Sequence, residues 1–403
     1  MEAAVGYRPR VGLREEREKS VLGRHPWIFS GAISRVDGSP GMGETVEVIS
    51  SKGETLGKGA FSPSSQIRVR LWSSDPECVI DRQFFEQRIK EAIRLRADLP
   101  SLSSSTNAFR LINGESDRLP GLIVDRYADF LVCQFLSAGP EYFRDIIVSL
   151  LSELYPCSGI YERSDADVRE KEGLDPRKGV LFGEDPPELL EITEGPCRFL
   201  VDIKTGQKTG FFLDQRENRQ RLAAYCDGAQ VLNCFSYSGA FAARALKAGA
   251  SHVLNLDDSA SALELCAKNM ELNGIPQERW ENLQGNAFKV LRQFREQERR
   301  FDIIVLDPPR FVDAKSHLMR AARGYKDINL LAFGLLRPGG YLFTFSCSGL
   351  LATDLFGKIV SDAALDTKRH ARIVERLFQA PDHPVGLNFP EGAYLKGLVL
   401  CVM

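Results

Sequence analysis

Apolar residues run along this chain in three successive rhythms. Up to about residue 72 they come in short blocks, Trp27–Ser30, Thr45–Ile49 and Gln66–Trp72, separated by turn formers such as the stretch Asp37–Gly43. Short apolar blocks between Gly, Pro and Ser clusters predict strands, and several in a row predict a small all-β unit. From Asp81 to Asp98 the spacing lengthens. Phe84, Phe85, Ile89, Ala92, Ile93 and Leu95 recur near the period of a helix. A Ser-rich loop is expected over 99–108, then strands Ala108–Ile112, Leu122–Asp125 and Phe130–Phe135, a helix Glu141–Leu154 and a strand Gly159–Glu162. Residues 164–188 are charged and rich in Gly and Pro, which predicts a loop or hairpin.

From about residue 191 strands and helices alternate. Strands are expected at Gln230–Cys234, His252–Asp257, Glu281–Gly285, Phe301–Asp307 and Gly340–Ser346. Helices Gly239–Ala248, Ser259–Asn273, Ala287–Glu298 and Tyr325–Leu336 fall between them. Such alternation builds βαβ units and a parallel, doubly wound sheet. After a helix near Thr353–Leu365 the strands Ala371–Phe378 and Tyr394–Val402 follow one another with no helix between them, so they should pair antiparallel at the sheet's edge. The expected fold class is α/β: a small β unit over 1–72, a small α+β unit over 73–190, and a doubly wound domain over 191–403.

A chain of 403 residues is too long for one ordinary core, which agrees with this division. The first ten residues are polar and charged, unlike a signal peptide, and no apolar run approaches the ~18 residues a membrane helix needs. A cytoplasmic protein with no membrane partner is expected. The nine cysteines are odd in number and none are at Cys-x-x-Cys spacing, so neither a disulfide framework nor a zinc site is indicated. Free thiols remain, and one of them could be a nucleophile. The net charge of −2 excludes a surface that is basic all over, but a local basic face is enough for RNA. Residues 1–72 carry eleven Lys/Arg against eight Asp/Glu, an excess no greater than an ordinary solvated face shows.

In a doubly wound sheet, ligands sit outside the carboxyl ends of the strands near the switch point. The residues after each strand are therefore the candidates. The first turn is LNCFSYSGAF, Leu232 to Phe241. Gly239 permits close backbone approach there, and the lone glycine excludes the G-x-G-x-x-G dinucleotide fingerprint. An ordinary strand–helix turn would look the same. Asp257, at the end of the second strand, is placed to accept from ribose hydroxyls; its neighbour Asp258 is a rival N-cap. Asn286, after the third strand, could accept from an adenine amino group or be only a turn residue. The run Leu306–Asp307–Pro308–Pro309–Arg310–Phe311 is more specific. Its prolines remove donors and stiffen the turn, Asp307 then faces the cavity, and Phe311 could stack on a flipped base. The alternative is a rigid structural loop. Last comes Phe345–Ser346–Cys347–Ser348–Gly349, which puts one thiol at the end of the strand after Asp307. Most lone cysteines are inert core residues, and only position favours this one.

Together, LVDIKTGQKTGFFLDQREN from Leu200, LNCFSYSGAF, LDPPRF, RGYKDIN from Arg323, FSCSGL and PDHPVGLNFPEGAYLKG from Pro381 resemble one known family, ribosomal RNA large subunit methyltransferase I. The resemblance spans the whole chain. REKSVLGRHPWIFSGAI is similar to its PUA domain, a small RNA-binding β-barrel, and LINGESDRLPGLIVDRY to its central domain. It implies S-adenosylmethionine as cofactor, held around Asn233, Phe235, Ser236, Gly239, Asp257, Asn286 and Asp307, with Gln215 near the methionine end. Asn286 stands where the family often has an aspartate. The partner implied is large-subunit (23S) ribosomal RNA, and the product 5-methylcytidine. The oligomeric state stays open, a homodimer being one option.

That reaction needs a thiolate at carbon 6 of cytosine to make carbon 5 nucleophilic. Cys347 is the candidate, with Asp307 holding the N3 and N4 edge and Pro308, Pro309 and Phe311 shaping the base site. Two other readings are an exocyclic-nitrogen methyltransferase, which needs no nucleophile, and a non-catalytic RNA-binding protein with a relic pocket.

Overall fold

The structure, a computed structural model, describes residues 9–102, 106–312 and 315–403. The expected polar start lies in part, and the Ser-rich loop at 103–105, outside the described residues.

The chain divides into two compact units. The first spans 1–190 together with 201–211 and 381–392. Its first sheet has six strands, β1 (Arg10–Leu13), β2 (Trp27–Phe29), β3 (Ile33–Asp37), β4 (Thr45–Ile49), β5 (Thr55–Phe61) and β6 (Ile67–Ser73), in the order β2-β6-β5-β4-β1-β3. A helical turn, α1 (Lys19–Leu22), precedes β2. The inward residues Val11, Val46, Val48 and Val69 make its core. Apolar blocks revealed β2, β4 and β6 in the sequence; β1, β3 and β5 are rich in Gly, Arg and Lys, which hides their alternation.

The rest of this unit is a second sheet, β7 (Ala108–Asn113), β8 (Leu122–Tyr127), β9 (Phe130–Phe135), β10 (Gly159–Ser164) and β11 (Arg177–Gly183), in the order β11-β10-β9-β8-β7. Its helices are α2 (Arg82–Ala97), α3 (Ala138–Tyr142), α4 (Arg144–Leu154) and α5 (Val168–Glu172). Asp81 caps α2 by accepting from Phe84 N. The single helix expected over Glu141–Leu154 is two, broken at Phe143. The charged stretch 164–188 holds α5 and β11. The boundary expected at 72/73 falls inside β6, and Ala60 and Trp72 share one core with Phe84, Phe85 and Leu111. Segment 381–392 returns to this unit: Asp382 accepts from Arg110 N (2.8 Å), and the Asp382 carbonyl accepts from Arg96 Nη2 (2.9 Å).

A hairpin, β12 (Leu190–Glu194) and β13 (Cys197–Val201), leads into the second unit, 191–200 with 212–380 and 393–403. Here α6 (Arg216–Ala223), β14 (Gln230–Cys234), α7 (Ala240–Lys247), β15 (His252–Asp257), α8 (Ala260–Leu272), β16 (Trp280–Gln284), α9 (Ala287–Glu296), β17 (Phe301–Leu306), α10 (Leu318–Leu335), β18 (Leu336–Ser346), α11 (Thr353–Asp366), β19 (Ala371–Phe378) and β20 (Lys396–Val402) alternate as expected. The order is β16-β15-β14-β17-β18-β20-β19, with β20 antiparallel to both its neighbours. Leu232, Leu254, Ile304 and Leu342 lie in the central strands, buried on both faces, and Leu291, Ile328, Phe356 and Val360 come from the covering helices. The helix expected from Tyr325 starts seven residues earlier, at Leu318. The cap of α8 is Ser259, accepting from Ala262 N, and not Asp258. Among the described residues no helix is long and apolar enough to cross a membrane.

Candidate active site

The chain winds one way through β14, β15 and β16 and the other way through β17 and β18. The switch point lies between β14 and β17, which are parallel with Cys234 opposite Leu306. Ligands of such sheets bind there. Phe235 leaves one strand and Asp307 the other, so the LNCFSYSGAF turn and the Asp307 turn flank one crevice.

The turn after β14 is strained. Phe235 (φ 59°) and Tyr237 (φ 45°) occupy the left-handed region, as does Gly239 (φ 77°). Each non-glycine residue there costs about 1–2 kcal/mol, which persists only where surroundings enforce it and which clusters at ligand sites. Three groups enforce it. The Asp257 carboxylate accepts from Tyr237 N (2.8 Å) and Ser259 N (3.0 Å). The buried Asn269 donates to the Ser238 carbonyl (2.9 Å) and accepts from Leu200 N (2.7 Å). Ser236 N donates to the Leu256 carbonyl (3.2 Å). Gly239 is obligatory for packing as well: a Cβ there would lie 2.3 Å from Cys266 Sγ.

Asn233 is the last rung of an amide ladder. Its Nδ2 donates to Asn255 Oδ1 (3.0 Å), and Asn255 Nδ2 donates to Asn282 Oδ1 (3.1 Å). The parallel register aligns these three residues across β14, β15 and β16. The ladder orients Asn233 so that its buried Oδ1 has no protein partner, and Ser236 Oγ and Ser238 Oγ are also buried without one. A buried polar atom left unpaired costs about 1–3 kcal/mol. Three such atoms at one strained turn fit a ligand rich in amino and hydroxyl groups, such as an aminoacyl nucleoside. Each Asp257 oxygen retains a lone pair for ribose hydroxyls.

Asn286 is placed differently. It is exposed, and its Oδ1, the atom an adenine amino group would need, caps α9 by accepting from Lys289 N (3.3 Å). Gln215 is buried, and its Nε2 donates to Asp307 Oδ1 (2.9 Å). Its Oε1 accepts from Asn218 Nδ2 (2.6 Å), which also donates to the Phe378 carbonyl (3.0 Å). Gln215 thus orients the Asp307 carboxylate, and Asn218 orients Gln215. Sequence reading passed over Asn218, although it lies three residues along the same helix start, a spacing that brings side chains together.

The Asp307 turn and the Cys347 turn share a corner. Pro308 is buried and Pro309 exposed. The Phe311 ring lies 4.7 Å from that of Tyr325 and 6.2 Å from that of Phe288, so it is packed on one side. The Tyr325 hydroxyl accepts from Ser346 Oγ (2.9 Å) and lies 3.3 Å from Ser348 Oγ. One phenol on α10 therefore holds both turns. Ser346 and Ser348 are fully buried, while Cys347 between them is partly exposed. Cys234 and Cys266, the other thiols near the crevice, are fully buried; burial pushes Cys266 up to about 12 and Cys234 higher still. Neither is poised to be a thiolate. Lys396, the first residue of β20, is also buried here, with Nζ donating to the Ser348 carbonyl (2.7 Å).

A switch-point crevice with an aminoacyl-nucleoside fit, in a chain that also carries a small β domain, defines an S-adenosylmethionine-dependent methyltransferase carrying a PUA-like domain. Family models agree on both parts: S-adenosylmethionine-dependent methyltransferase over residues 175–400 and PUA-like domain over residues 11–74. A Streptococcus mutans structure described as a SAM-dependent methyltransferase superposes with a TM-score of 0.84 at 22% identity, covering 97% of this chain and 99% of its own. A second structure, a methyltransferase complexed with SAH, gives the same values. Ribosomal RNA large subunit methyltransferase I of Aeromonas hydrophila is 54% identical over 97% of this chain and 98% of its own. That of Erwinia tasmaniensis is 50% identical over 98% and 99%. The chain belongs to the ribosomal RNA large subunit methyltransferase I family, and its cofactor is S-adenosylmethionine.

Proposed function

We propose that this enzyme methylates carbon 5 of a cytidine in large-subunit ribosomal RNA, with Cys347 as the covalent nucleophile. One observation carries the reading. A partly accessible thiol stands at the carboxyl end of β18, and Tyr325 ties its turn to the Asp307–Phe311 turn on the neighbouring strand.

Carbon 5 of cytosine is a weak nucleophile. The Cys347 thiolate adds to carbon 6, the sulfur pair forming the S–C6 bond as the C5=C6 π bond opens. Asp307, oriented by Gln215, holds the N3 and N4 edge and supports the proton gained at N3. Asn233, Ser236 and Asp257 would hold S-adenosylmethionine, which would supply an electrophilic methyl group for the enamine-like carbon 5 and be left as S-adenosylhomocysteine. The carbon-5 proton passes to a solvent base and its electron pair returns to C5=C6 as the S–C6 bond breaks to release the thiolate; the N3 proton returns to Asp307.

The PUA-like domain supplies RNA affinity in this reading. Arg17, His25, Trp27, Phe29 and Glu391 line a cavity of about 370 Å³ in the first unit, and Phe29 is half exposed. Aromatic faces beside a cation suit an unstacked base.

The test is RNA carrying 5-fluorocytidine at the target. Fluorine cannot leave as a proton does, so the adduct stalls after methyl transfer and survives denaturing electrophoresis. Trapping should vanish in Cys347→Ala and persist in Cys234→Ala. Trapping retained in Cys347→Ala overturns the assignment. Full turnover of Cys347→Ser, with no trapping in any variant, points instead to an exocyclic nitrogen.

A further inference from the structure

We propose that Lys396 is the charge and proton partner of Cys347, holding it as a thiolate ready to add to the base. The inference rests on the reading of Cys347 as the nucleophile and adds the group that activates it.

Antiparallel pairing of β18 with β20 sets Lys396 opposite Ser346, one residue before the thiol. On the other side of β20 its register partner is Phe378 of β19, which brings no charge. Lys396 is only 4% exposed, yet its Nζ makes a single hydrogen bond, to the Ser348 carbonyl, and no ion pair among the described residues. A buried ammonium without a carboxylate is costly and is rarely kept for structure alone. Other ionisable groups come from the neighbouring elements. The Tyr325 phenol on α10 bonds Ser346 and Ser348, on either side of Cys347, and Tyr394, two residues before Lys396, donates to Asp214 (2.7 Å). Cys347 is the ionisable group that acts on Lys396, a thiolate there favouring the ammonium. Burial lowers the lysine to about 8, so amine and ammonium are both accessible near neutral pH. A lysine tuned in this way beside a thiol is the pattern of a functional pair.

The step balances within the pair. The Sγ–H bond breaks and its electron pair stays on sulfur. The proton moves to the Lys396 amine, whose lone pair forms the new N–H bond. The ammonium then stabilises the thiolate until sulfur gives its pair to carbon 6, and it can return the proton once the product has left.

The test is the pH profile of iodoacetamide alkylation at Cys347 in the full-length protein without RNA, followed by peptide mass spectrometry. In the wild-type protein the midpoint should lie at least one pH unit below the ~8.5 of an ordinary thiol. Lys396→Met should raise it by a unit or more, a roughly tenfold slower reaction at pH 7, with the high-pH plateau rate kept. Lys396→Arg, permanently charged, should restore the low midpoint. A lysine that only braces the turn would change the plateau through accessibility and leave the midpoint alone, which overturns the proposal. A wild-type midpoint at or above ~8.5 also overturns it, and needs no variant to fold. Trapping that persists in Cys347→Ala would remove the parent reading while leaving this thiolate measurement standing, so the two failures are distinguishable.

Discussion

Gly239→Ala probes the turn on which the cofactor site depends. Gly239 has φ 77°, where an alanine costs about 1–2 kcal/mol. The added methyl would lie 2.3 Å from Cys266 Sγ and 2.9 Å from Met270 Cε. The methionine tip can swing aside. Cys266 cannot, because its sulfur is one bond from Cβ and its thiol faces Asn282 Oδ1 at 3.5 Å, against the amide ladder. Relieving that overlap costs a further 1–3 kcal/mol or so. Stiffening of the unfolded chain returns about 0.4–1 kcal/mol. The expected net loss is therefore about 2–4 kcal/mol in urea unfolding followed by circular dichroism, with weaker S-adenosylmethionine binding by calorimetry. In a Cys266→Ala background the clashing sulfur is gone and only the strain of the positive φ remains. The double-mutant cycle should then show about 1–3 kcal/mol of favourable coupling, and cofactor affinity should recover in part. A Gly239→Ala protein within about 0.5 kcal/mol of the parent, or a cycle with no coupling, would refute the account.

Two further outcomes follow from the same geometry. Asp257→Ala removes the acceptor of Tyr237 N and Ser259 N as well as any ribose contact, so S-adenosylmethionine affinity should fall by roughly 1–3 kcal/mol; a folded variant with unchanged calorimetric affinity would take Asp257 out of the site. Arg17→Ala with Phe29→Ala should weaken ribosomal RNA binding by about 1–3 kcal/mol per lost base stack, flatten its salt dependence and spare cofactor binding; RNA affinity equal to the parent's in filter binding would move the RNA platform elsewhere.

The alternation of apolar strand runs with helical stripes was enough to predict the doubly wound sheet. A parallel strand is buried on both faces and must be apolar throughout, and its covering helix must carry a 3.6-residue stripe, so residues 230–346 announce their elements locally. The edge hairpin followed from the lack of a helix between β19 and β20. Phe235, Asp257 and Asp307 could be placed near one crevice because strand ends of such a sheet converge by topology. Strands β1, β3 and β5 were not legible, since their alternation is carried partly by glycines and by the stems of charged side chains.

What no reading of one stretch could decide is which polar groups meet. Asn233, Asn255 and Asn282 form a ladder only because three strands share a register. Gln215 lies ninety-two residues from Asp307 and Asn218 far from Phe378, so their orienting chain exists only in the folded sheet. Asn286 could be read in sequence as a ligand contact or as a turn residue, and its side chain caps α9, because a β-region backbone at a helix start claims the nearest side-chain acceptor. Lys396 read as one basic residue in the final motif, and only the antiparallel register of β20 buries it opposite Ser346, against the turn that carries Cys347. Local periodicity determines elements because each element buries its own face; the pairing of polar side chains is decided by contacts distant in sequence, which leave no local pattern.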